Sequence, residues 1–102
     1  MPKLYEYFGL IVFFYSNEHE PIHVHGKFQG RASKAEIVLI NGAVDAIRYT
    51  EEAGHAPLSV SELRFFSELV ETKAQDIVNK WIDYFVLHKS VKSERITQRI
   101  KR

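Results

Sequence analysis

Three of the chain's five histidines fall in one run of eleven residues, Tyr15-Ser16-Asn17-Glu18-His19-Glu20-Pro21-Ile22-His23-Val24-His25. Histidine titrates near neutrality and ligates metals, so such a cluster is a site candidate before anything else is known. In a strand, His23 and His25 point to the same face, about 7 Å apart along the backbone. His19 lies across the preceding turn, with Glu18 and Glu20 on either side of it. Two chemistries suit these residues. His23 and His25 as an acid–base pair, with His19 orienting them, would cleave a phosphodiester without a metal. One imidazole would take the 2′-hydroxyl proton and the other would protonate the leaving oxygen. Tyr15, Asn17 and Arg31 would hold the substrate. Alternatively, His19, His23, His25 and Glu18 form a complete ligand set for zinc or another divalent ion. A third reading has the rings simply packing on a half-buried strand or shaping a partner surface. His55 and His88 are isolated in sequence. His55 falls in a loop that could bring it to the cluster, and His88 suits a helix end, where a cation meets the dipole favourably.

The elements that must position this run are only partly legible. Leu10 to Tyr15 is aliphatic and aromatic, as a strand is. Asn17 and Pro21 favour a turn after it. Ile22 to Lys27 alternates and starts a second strand, bent near Gly26 or Gly30 and continued by Lys34 to Ile40. Asn41-Gly42 between apolar runs is the preferred two-residue hairpin turn, so a third strand is predicted from Ala43 to Tyr49. Thr50 to Pro57 reads as a loop.

The remainder reads as helix. Ser59 with Glu62 is a capping-box pattern, and Leu58 with Leu63 can staple the entry. Leu63, Phe66, Val70, Ala74, Ile77, Trp81 and Phe85 recur in steps of three and four, one buried stripe. As one rod, residues 60–87 would span about 42 Å. A compact domain of this size has a radius of gyration of only about 13 Å. A break is therefore expected near Thr72, where Gln75 completes a second capping pattern. The expected fold is α+β: a three-stranded antiparallel sheet followed by two helices, or one kinked helix (β-β-β-α-α).

Composition sets the outer bounds. At 102 residues, 45% of them hydrophobic and 26% charged, the chain is one ordinary globular domain. It has no cysteine, which removes disulfides and thiolate metal sites. The longest apolar run, Phe8 to Tyr15, is far short of the roughly 20 residues a membrane span needs. No secretory pattern follows Met1-Pro2-Lys3, so a cytoplasmic location is expected. Residues 89–102 carry six basic side chains and one acidic one, whereas the rest of the chain is net acidic. The chain thus divides into a domain over 1–88 and a basic tail over 89–102, suited to phosphate or to an acidic partner surface. One of the two aromatics in each of Phe65-Phe66 and Tyr84-Phe85 is left over from the stripe, which suits a partner surface. A short sheet with an open edge also invites a homodimer.

Asn17-Glu18-His19-x-Pro21-x-His23-Val24-His25, after an aromatic strand that follows Met1-Pro2, resembles the small prokaryotic family called domain of unknown function 4160. Trp81 and Tyr84-Phe85 suit that family's helical ending. The similarity covers roughly residues 1–87. Ile22 stands where many members have a second proline, and Ala43 to Pro57 is longer than usual. The family has no established activity. The resemblance implies a small cognate protein partner, in an arrangement similar to a toxin–antitoxin pair, and through it an action on RNA. A non-catalytic module binding protein or nucleic acid, with or without a structural metal, is the alternative.

Overall fold

The computed structural model describes residues 2–19 and 21–100. Glu20 beside His19, and Lys101 and Arg102 of the basic segment, lie outside the described residues. The strands are β1 (Lys3–Tyr7), β2 (Leu10–Phe13), β3 (His23–Phe28), β4 (Arg31–Ile40) and β5 (Ala43–Glu51). One helix, α1 (Val60–Trp81), ends in a π turn over Ile82–Val86, and β6 (Glu94–Ile96) follows. The six strands form one sheet in the order β5-β4-β3-β2-β1-β6, antiparallel except for β6 against β1.

This corrects the expected three-stranded sheet with two helices. Three strands were missed, each for a local reason. β1 turns into β2 through Phe8 and Gly9, both at positive φ (49° and 88°), and a phenylalanine there carries no turn signal. The long second strand is two, because Gln29-Gly30 reverses the chain between Phe28 and Arg31. β6 is three residues inside a charged segment, without a period to read. The Asn41-Gly42 turn is where the sequence places it, with φ of 52° and 80°.

The helix does not break at Thr72. Twenty-two residues make about 33 Å of helix. That equals the longest dimension of the molecule, 33 Å, so one rod lies along the sheet with no kink. Ser59 and Glu62 close the capping box at its start. The π turn then ends the rod. Phe66, Leu69, Val70, Ile77 and Trp81 pack against Tyr5, Tyr7, Val12 and Val24 of the sheet and against Phe14 just after β2. At the closest approach, β3 offers only a glycine: a Cβ on Gly26 would lie 2.7 Å from the Phe66 ring.

The C-terminal segment returns across the far edge. Arg95 is held to Glu6, Arg99 makes paired contacts of 2.8 and 2.7 Å with the buried Glu68, and the Ile100 amide donates to the Tyr7 hydroxyl at 2.8 Å. No helix among the described residues is long and apolar enough to cross a membrane.

Candidate functional site

Strand alternation decides where the histidines go. In β3, Val24 and Gly26 face the helix and are buried, so His23, His25 and Lys27 face the other way. The register places Phe13, His25, Lys34 and Thr50 in one row across four strands. On this second face Phe13 stacks on His25 at 5.4 Å, and Tyr15 meets it edge-on at 4.5 Å. His25 is thereby only 4% exposed although it lies outside the main core. His23 is half-buried, 5.2 Å from His25 and 5.4 Å from the Trp81 ring at the end of α1.

The loop after β2 folds back so that Glu18 reaches both rings. Its Oε1 lies 2.9 Å from His23 Nε2 and also meets His25 Nε2. The other nitrogens are fixed from behind. His23 Nδ1 lies 2.7 Å from the Pro21 carbonyl, which can only accept, so Nδ1 carries the proton. His25 Nδ1 meets Glu52 Oε1. Tyr15 donates to the second oxygen of Glu52 at 3.2 Å, and His55 approaches that oxygen at 3.6 Å. Both Nδ1 atoms are thus anchored and both Nε2 atoms turn to one carboxylate oxygen. One ligand atom each from Glu18, His23 and His25 lies within 4.8 Å of the other two. Glu18 Oε2 is buried and has no hydrogen-bond partner among the described residues.

The electrostatics follow from these contacts. Burial alone would raise the Glu18 carboxyl, but the hydrogen bonds with His23 and His25 outweigh it and hold it at about 2. Hydrogen bonding to Glu18 raises the His23 imidazole above its ordinary value, against burial and the charge of Lys34. Burial first, and then Glu52, raises the Tyr15 hydroxyl.

Of the residues singled out from sequence, Tyr15, Glu18, His23 and His25 come together. Asn17 and His19 are exposed on the loop, and His19 is not in the converging set. Arg31 is at the far end of the β3–β4 hairpin, where it grips Glu62 of the helix. His88 follows the π turn at φ +56°. Glu52 was missed. It sits one residue beyond β5, two after Thr50 and so on the same face, a placement readable only once β5 is known to run to Glu51.

No curated protein and no solved structure matches the chain. Residues 9–82 match the family described as Domain of unknown function (DUF4160). The matched span holds every side chain of the Glu18–His23–His25–Glu52 cluster and Trp81, and leaves β1 and β6 outside. The chain belongs to the DUF4160 family.

Proposed function

We propose that this chain is a divalent-metal-binding protein, with Glu18, His23 and His25 as its ligands and zinc as the first ion to test. The observation that carries the reading is the convergence of two Nε2 atoms on Glu18, with each Nδ1 already committed elsewhere. An imidazole anchored at one nitrogen by a carbonyl or carboxylate presents the other as a ligand in a set orientation. The unpartnered Glu18 Oε2 supplies a second reason: a buried carboxylate oxygen without a donor is costly, and a cation removes that cost. Two imidazoles and a carboxylate are a donor set that zinc accepts, with coordination positions left for water or a substrate oxygen. When bound, the ion would supply Lewis acidity at those positions.

A metal-free ribonuclease, with His23 and His25 as the acid–base pair of a toxin-like protein, fits this geometry less well. Such a pair needs a ring nitrogen open to substrate, and His25 has a carboxylate at each nitrogen and almost no exposed surface. Arg31, offered as the phosphate holder, is engaged by Glu62.

Metal analysis of the purified protein after dialysis against zinc, with cobalt(II) absorption as a second readout, tests the proposal. One ion per chain, lost in Glu18→Gln and in His23→Ala/His25→Ala while the far-UV spectrum is kept, is the expected result. Metal content unaffected by either variant would overturn it.

A further inference from the structure

A second candidate site lies where the helix ends. The π turn is closed by the Leu87 amide donating to the Ile82 carbonyl at 2.9 Å, and the Lys89 amide then donates to the Asp83 carbonyl at 2.7 Å. A π turn adds a residue to the helical circuit, so the side chains after it leave the α1 stripe. Phe85 stays against Trp81 at 4.3 Å and Phe14 at 5.4 Å, and Tyr84 stands edge-on to it at 4.8 Å. With Ser16 from the loop after β2, and with His88, Lys89 and Ser90, these two rings line a cavity of about 340 Å³.

The chemistry of that lining is one-sided. It offers an ammonium, an imidazole and three hydroxyls, and no carboxylate. Donors without acids suit an anion, and a dianionic phosphate most of all. Tyr84, half-buried and perpendicular to Phe85, supplies an aromatic face on which a nucleobase stacks, with Phe85 as the apolar floor beside it. The volume is at the small end for ligand sites, which suits a single small molecule. His88, at φ +56°, takes the left-handed position that ends the helix, where the Lys89 amide closes back on Asp83.

We infer that this cavity binds a nucleoside 5′-monophosphate, with Lys89, His88, Ser16 and Ser90 on the phosphate and Tyr84 and Phe85 against the base. The site does not depend on metal at the Glu18 cluster, and its failure would leave that proposal standing.

The test is an amide-resolved NMR titration of the full chain with uridine 5′-monophosphate, with uridine alone and inorganic phosphate as the separated halves. The nucleotide should shift the amides of Ser16, Phe85, Lys89 and Ser90 and saturate near a Kd of about 1 mM or below. Each half should bind at least about tenfold more weakly, and Lys89→Glu should weaken the nucleotide about tenfold or more. The amides of Val24 and His25 should stay in place. Equal binding of nucleotide and uridine, or an unchanged titration in Lys89→Glu, overturns the inference. Shifts confined to the amides of Val24 and His25 overturn it too, since the phosphate would then sit at the histidine cluster. The same spectra report whether each variant is folded.

Discussion

Glu52 holds His25 from behind, on the ring nitrogen opposite the one that faces Glu18, although it lies 27 residues further along the chain. The carboxylate orients the ring without touching whatever its Nε2 binds. Glu52→Gln should therefore lower metal affinity by about 10–100-fold while leaving all three ligands in place. Competition with a coloured chelator measures this, and an unchanged affinity would reduce Glu52 to a packing role.

Trp81 is the chain's single tryptophan, and its ring centre lies 5.4 Å from that of His23. Its emission should respond to metal added to the protein and level off at one equivalent. The response should vanish in His23→Ala, whose folding Trp81 itself reports through its burial. A response that survives in His23→Ala would place the ion elsewhere.

Gly26 is where β3 touches the helix. Gly26→Ala puts a methyl 2.7 Å from a Phe66 ring that is fully buried. Overpacking of this kind costs about 1–3 kcal/mol. Urea unfolding gives the value directly, and a neutral substitution would mean that helix and sheet separate more easily than their packing implies.

Glu62 links the helix start to β4. Its carboxyl accepts from Arg31 Nε at 2.8 Å and from the Ser59 amide at 2.9 Å. Arg31 chiefly holds it at about 2, below the ordinary 4.5. The unfolded chain therefore takes up the proton first as pH falls. The stability from this group is fully present above about 4.5 and is lost as pH drops through about 2. The gap in urea midpoint between the parent protein and Glu62→Gln should shrink as pH is lowered from about 5 to about 2. Glu18 titrates in the same window in both proteins and cancels in the comparison. A gap independent of pH would mean that the charge of Glu62 adds nothing to stability.

The parts of the fold that were legible are those fixed by neighbours in sequence. Asn41-Gly42 marks its hairpin because both residues tolerate positive φ, and Ser59 with Glu62 marks the helix start because the cap is made within four residues. The shared face of His23 and His25 follows from alternation alone. What was hidden depends on distant partners. Nothing local announces that Lys3–Tyr7 is a strand when its turn uses Phe8, or that Glu94–Ile96 completes a sheet begun at the other end of the chain. The helix was expected to break because its length was weighed against a compact sphere, whereas a six-stranded sheet gives a straight rod its full length to lie on. Glu52 went unseen for the same reason: it reaches His25 across β4, and no spacing within one segment encodes that contact.

The placement of β6 beside β1 also sets an order of events. Arg95 and Glu6 meet across 89 residues of chain, a far longer closure than any hairpin in the sheet requires. Contacts that distant form late, after the local turns and the helix. A refolding molecule thus passes through a stage in which β1 is paired on one side and bare on the other. A bare edge is the kind of surface on which chains add to one another. Yield on refolding should fall as protein concentration rises, and the final strand, short as it is, covers β1 and leaves β5 as the one long open edge among the described residues.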